Sequence, residues 1–372
     1  MHAPRPFFTS PHPTQAPRYK TPEFGVGQDC RPYFLLIDEM GNTHRFQDGC
    51  TISWARFVGY DLAGVLLHNV TLEVVAFAAC DLSNFELQSS TLDRILVSGC
   101  AGGPVFNRSR VSHMKVEGTT SETAIVRWFR CQISALVIKN NTCGIEFSFC
   151  TGDDIRIEHS RFVRQVLVRH CQLRRIQIVS CVIEKSYFVR SSLLQSEIFD
   201  THFIRGDWSD IDLSLGMIHD TTLEDLRIRN VRLDLTTIKR LRLESVRAVQ
   251  ISAWWAEWTH VEFVGGMVGI SLHHCTVRSL MLHGTKVWLS MTSSYACGLR
   301  LCDVEGYTSG TDSIWWRPVL RRNMLRGDGK RGIILVKPDC SNTQVVGDFA
   351  VCMDESDDPI NDDETPENKG ET

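Results

Sequence analysis

A repeat of five residues runs through this chain and excludes most ordinary folds. Starting at Tyr60-Asp61-Leu62, the units Val65-Leu66-Leu67, Val70-Thr71-Leu72, Val75-Ala76-Phe77, Cys80-Asp81-Leu82, Phe85-Glu86-Leu87, Ser90-Thr91-Leu92 and Ile95-Leu96-Val97 follow without a slip. A second block of 19 units holds one frame from Cys171-Gln172-Leu173 to Val261-Glu262-Phe263. In all 27 units the third residue is apolar and neither the first nor the third is charged. At 23% charged residues, about 12 of those 54 positions would carry a charge by chance.

An amphipathic helix repeats at about 3.6 residues and a strand at about 2, so neither sustains this pattern. A solenoid does. Alternate residues of an extended chain face the same way, so a short segment turns its first and third side chains inward and then rounds a corner. Four such segments close a square coil of about 20 residues, the length expected for a β-helix of this period.

On these residues the chain resembles the pentapeptide-repeat proteins. That family's unit is a small residue, Asp or Asn, a central Leu or Phe, and two polar residues; Cys80-Asp81-Leu82-Ser83-Asn84 is close to it, whereas most units keep only the central apolar residue. The resemblance implies an all-β fold, a right-handed quadrilateral β-helix over residues 60–302. The cysteines agree with that coil length: Cys30 and Cys50 are 20 apart, as are Cys80 and Cys100, while Cys131 and Cys171 are 40 apart with Cys150 between them. Such spacing suggests one recurring inward site, with the thiols acting as small buried hydrophobes in a reducing, cytoplasmic setting.

Around the solenoid we expect fittings. Residues 1–29 form a Pro-rich arm with no periodicity, and residues 30–59 a cap, since Tyr33-Phe34-Leu35-Leu36-Ile37 and the polar turn after it read as a hairpin closing the first coil. Residues 303–353 read as a separate capping or interaction module through which copies of the chain associate. Residues 354–372 form an acidic tail. The count breaks at Ala101-Gly102-Gly103-Pro104 and again within residues 254–270. Met1 to Lys20 has no apolar run of a secretory signal, and no stretch of about 18 apolar residues spans a membrane.

Little in the chain reads as chemistry. There is no nucleophile elbow, phosphate loop or cofactor fingerprint, so no catalytic residue, metal or cofactor is expected. His273-His274-Cys275 is the tightest metal-like cluster, but neighbouring residues of an extended chain point to opposite faces.

Binding features are clearer. Arg156, Arg161, Arg164, Arg169, Arg174, Arg175, Lys185 and Arg190 form an outward basic band, residues 197–225 an acidic one with eight carboxylates, and residues 227–247 a basic one again. Such bands either attract successive coils or dock a partner. Trp254, Trp255 and Trp258, and Trp315 and Trp316 followed by Arg317, Arg321 and Arg322, combine the residue types that anchor interfaces. Members of the family that bind type II topoisomerases resemble duplex DNA in charge; this chain departs from them, with 27 basic against 24 acidic residues between 50 and 300. Nucleic acid is likewise an unlikely partner for a chain of net charge -4. The expected function is a non-enzymatic protein-interaction scaffold, with a secreted effector or adaptor and a component of a viral or cellular assembly as rivals.

Overall fold

The computed structural model describes residues 19–28, 32–119, 121, 124–311 and 313–321, and beyond these the strands Met324–Gly327, Ile333–Val336, Asp339–Ser341, Gln344–Val346 and Ala350–Cys352. Every element among the described residues is a strand. The ends of the chain, including most of the Pro-rich arm and the acidic tail, lie outside the described residues.

The five-residue unit maps directly onto the backbone. Through residues 221–245 the first and third positions of each unit are buried, and the second, fourth and fifth are half-buried or exposed. The fifth residue carries a positive φ: Asp210, Leu215, Asp220, Asp225, Asn230, Leu235, Arg240, Ser245, Gln250, Trp255 and His260 all lie between 50° and 61°. A left-handed residue turns the chain between two extended segments, so each of these is a corner. Strand pairing is parallel with a step of 20, as in Asp207↔Arg227↔Arg247, so one turn contains four corners. The β-helix is therefore four-sided here, as the resemblance implies. Parallel pairing carries one column from Thr51 through Thr71 and Thr91 to Arg110, and on through Ser192 and Asp212 to Ser309, in thirteen steps. At about 4.8 Å per step the stack is roughly 60 Å tall.

The core is one continuous column of apolar side chains. Its N-terminal end is covered by an antiparallel sheet of β1 (Glu23–Val26), β2 (Pro32–Ile37) and β3 (Thr43–Phe46). Phe34 stacks on Phe46 at 5.0 Å, Phe46 meets Phe57 of the first coil at 5.3 Å, and Phe57 meets Phe77 at 5.8 Å. The turn between β2 and β3 closes on Asp38, whose carboxylate accepts from the Met40 and Asn42 amides at 2.9 and 2.8 Å and meets His44 Nε2 at 2.9 Å.

Three expectations need correction. The parallel ladder begins at β4 (Thr51–Val58), inside the stretch assigned to the cap. It also continues past Cys302 through Glu305–Thr311 to Ala350–Cys352, so the expected separate C-terminal module is further coil. The count disappears there because the coil changes shape. From Met267 onward, the strands Met267–His273, Lys286–Thr292 and Glu305–Thr311 alternate straight across the place where a corner stood, and the step falls to 19. Finally, the cysteines do not share one site: Cys275 stacks beneath Ala256 and Cys143 beside Ala124, and most of the others fall in two columns on opposite sides of the coil. Cys80, Cys100, Thr119, Asn141, Ser160 and Cys181 form one; Ser90, Ser109, Cys131, Cys150, Cys171 and Ser191 form the other. Both run on hydrogen bonds to neighbouring main chain, which explains why hydroxyl, thiol and amide side chains share the slot.

Candidate functional site

Naming the four sides by residues 206–225 puts the first at 206–209, the second at 211–214, the third at 216–219 and the fourth at 221–224, with corners at Asp210, Leu215, Asp220 and Asp225. The corner between the second and third sides stacks Asp154, Arg175, Gln195, Leu215, Leu235, Trp255 and His274, all with positive φ. Immediately before it in each coil lie Arg174, Leu194, Ser214, Asp234, Trp254 and His273. Arg174, Arg175, Trp254 and Trp255, which are 80 residues apart in sequence, therefore sit on one edge of the rod, four coils apart or roughly 19 Å.

The middle of this edge is apolar and open to solvent. Leu215 is 50% exposed, Leu235 55%, Trp254 44% and Trp255 62%. Beside them on the third side a groove of about 580 Å³ is floored by Gly216 and walled by Met217, Glu197 and Arg156. The tryptophans are held from the next coil: His273 stacks on Trp254 at 4.3 Å and 18°, and His274 on Trp255 at 4.4 Å and 11°. Arg175 bonds Asp153 at 2.5 Å, whereas Arg174 is exposed and has no ion pair among the described residues.

An exposed leucine at a left-handed corner is doubly unfavourable. For a non-glycine residue this conformation costs about 1 kcal/mol or more, and Asn or Asp tolerates it best. Leu215 and Leu235 therefore serve neither local conformation nor core burial. The sequence does carry their signal, an apolar residue in the fifth slot of the unit, but the reading of inward positions passes over it.

The other expected contact residues divide. Trp258 and Trp315 are buried, Trp315 donating its indole N–H to Met291 Sδ at 3.2 Å, so both drop out as partner-facing anchors. Trp258 fills the inward third slot in which the count of five already places it, and Trp315 fills an inward slot beyond the reach of that count. Trp316 is half-buried and Arg317 and Arg321 are exposed on later coils; Arg322 lies outside the described residues.

The charge bands lie one against the next. Arg190 faces Asp210 at 3.8 Å, Arg229 faces Asp207 at 3.3 Å and Arg242 faces Glu262 at 2.9 Å, each joining adjacent coils. The thiols divide by their neighbours. Burial pushes Cys181 up to about 11 and Cys143 up to about 12, whereas the Cys100 thiol beside Cys80 and the Cys131 and Cys171 thiols beside Cys150 hold those two below the ordinary thiol value. His273 and His274 face outward onto the tryptophans while Cys275 is buried, its thiol donating to the Ala253 and His273 carbonyls.

No protein-family profile and no curated protein matches the chain. Among solved structures it is similar to QnrB1, a plasmid-mediated fluoroquinolone resistance protein, at 15% identity, covering 51% of this chain and 83% of that one with a TM-score of 0.31. It is also similar to HetL, a pentapeptide-repeat protein involved in heterocyst differentiation regulation in the cyanobacterium Nostoc sp. strain PCC 7120, at 13% identity, covering 56% and 87% with a TM-score of 0.25. A PL6 alginate lyase solved with a trisaccharide matches at 10% identity, covering 82% and 81% with a TM-score of 0.27. At these values the likeness is one of coil, and no residue role carries over. The five-residue unit, the four left-handed corners and the 20-residue parallel step define the fold on their own: a four-sided parallel β-helix built from five-residue repeats.

Proposed function

We propose that the protein is a non-enzymatic interaction scaffold whose docking edge is the corner column of Leu215, Leu235 and Trp255 with Trp254 beside it. The observation that carries this reading is the placement of exposed apolar side chains at three successive left-handed corners. Backbone strain retained at a surface position supports a functional assignment, and exposed Trp beside Leu is the composition of an interface centre. The groove next to the edge gives a partner side chain a place to enter. Arg174 at the far end favours a partner that carries an apolar strip with an acidic end.

The test is capture from the native source by full-length protein and by the triple variant Leu215→Asn, Leu235→Asn, Trp255→Asn, quantified by mass spectrometry. A control variant, Arg240→Asn, alters the next corner round the coil. A partner retained by the wild type and the control but lost from the triple variant supports the proposal. Identical captures from all three overturn it.

A further inference from the structure

A second feature, on a different part of the rod, arises where the coil loses a corner. Through Gln250 the corner between the first and second sides is occupied in every turn, by His170, Arg190, Asp210, Asn230 and Gln250. The next coil has Gly269 and Ile270 there with no left-handed residue, and the pairing slips by one between Ala248 and Ile251. The loss leaves a notch of about 480 Å³ at the seam. Gly269 forms its floor, because the outward column above and below it reads Val249, Gly269, Trp288, Tyr307 and only the glycine contributes no side chain.

The lining has a specific chemistry. Trp288 is 52% exposed and Tyr307 38%, one coil apart, and neither ring stacks on another aromatic among the described residues, unlike Trp254 and Trp255. Along the other wall Ser271, Ser290 and Ser309 stand in register, one per coil. None of their hydroxyls has a hydrogen-bond partner among the described residues, whereas the outward Ser112 and Ser180 bond to Asp93 and Asp200. Gln250 closes the upper end, and no Asp, Glu, Lys, Arg or His lines the notch.

We propose that this notch binds a neutral saccharide. A charged ligand finds no counter-charge in it. An apolar side chain would cover the serine hydroxyls without pairing them, and each buried unpaired group then loses its water without a replacement partner. A sugar ring presents an apolar C–H face to Trp288 and Tyr307 and hydroxyls to the serines and the Gln250 amide, matching the division between apolar walls and few polar groups that marks small-molecule sites. The serine spacing, about 4.8 Å per coil, is close to the length of one pyranose unit, so successive units of a short oligosaccharide meet successive serines. This site is independent of the apolar edge proposed above.

The experiment is saturation-transfer NMR followed by calorimetry on the full chain, with neutral tetraoses of glucose, mannose, xylose and N-acetylglucosamine as probes and an uncharged Leu- and Phe-containing hexapeptide as the rival. Two variants accompany the wild type. Trp288→Ala removes the platform. Gly269→Leu fills the notch; a Cβ at Gly269 meets its nearest atoms only at 3.4–3.8 Å, so the larger residue fits the backbone. The proposal expects one tetraose to show transfer to its ring C–H protons and to lose at least tenfold in affinity in both variants, with unchanged melting and with Trp255→Asn binding as wild type. Absence of binding by every sugar, binding unchanged in the variants, or binding of the hexapeptide alone overturns it.

Discussion

Two neighbouring corners of the coil have the same backbone and opposite chemistry. Ser180, Asp200, Asp220, Arg240 and His260 line the corner between the third and fourth sides, while Gln195, Leu215, Leu235 and Trp255 line the one before it. On the first, Ser180 donates to Asp200 at 3.0 Å and Arg240 to Asp220 at 2.7 Å, so four of these five side chains lie against one from the adjacent coil. On the second, Leu215, Leu235 and Trp255 expose apolar surface. The first is what the fold requires of a corner. The second exceeds that requirement, and the proposed docking edge rests on that excess.

The sharpest contrast lies between Trp255 and Trp258, three residues apart, one outside and one inside. Trp258→Ala empties the core and is expected to cost about 3–5 kcal/mol in denaturant unfolding, leaving partner capture by folded protein intact. Trp258→Phe is expected to cost far less, because the indole N–H has no hydrogen-bond partner to lose. A Trp258→Ala protein as stable as wild type breaks the inside-outside assignment. Trp255→Ala is the reverse case: at an interface centre it is expected to cost 2 kcal/mol or more of binding, about 30-fold in affinity, with no loss of stability. A binding isotherm with the captured partner measures it.

The smaller effects belong to the polar features. The Arg240 guanidinium holds Asp220 down to about 2, and the His44 bond does the same for Asp38 at the cap turn. A carboxyl whose folded value lies below its unfolded one stabilises above about pH 4, and that contribution is lost as pH falls through about 2. Acid titration monitored by circular dichroism is therefore expected to loosen wild type between those limits and Asp38→Asn to flatten the change. Arg240→Asn is expected to shift melting least of all, since the pair is exposed and screened by salt. An equally large effect of Arg240→Asn and Trp255→Ala on partner binding erases the distinction between the two corners.

Much of the architecture is legible in the sequence, because a five-residue period with uncharged first and third positions has few structural solutions. What the period conceals is what lies beyond it. After Gly266 strict alternation replaces one corner in each turn, so the count of five survives only in short runs, as at His274, Ser279 and Gly284 and again at Ser293, Gly298 and Asp303, and residues 303–353 read as a capping or interaction module. The start of the ladder is legible by the same count, since Cys50-Thr51-Ile52 and Ala55-Arg56-Phe57 at β4 already keep the frame of Tyr60-Asp61-Leu62. Of the site, Trp254, Trp255, Arg174 and Arg175 are visible as residue types, but their common edge appears only when the 20-residue step is laid out. Leu215 and Leu235 are invisible to a search for inward residues and for charges, since their meaning lies in an apolar side chain occupying a corner. Trp315 misleads because sequence proximity to Trp316 does not place a side chain on the same face, whereas Trp258 already falls in the inward third slot of its unit.

The most direct measurement concerns the two leucines and needs no knowledge of the partner. In the double variant Leu215→Asn, Leu235→Asn, each corner gains a residue suited to positive φ and loses exposed apolar surface. If the leucines serve an interface, the urea midpoint of the double variant is equal to or above wild type, by up to about 1 kcal/mol per site. A midpoint clearly below wild type contradicts the account, because it shows that the fold itself uses the apolar corner.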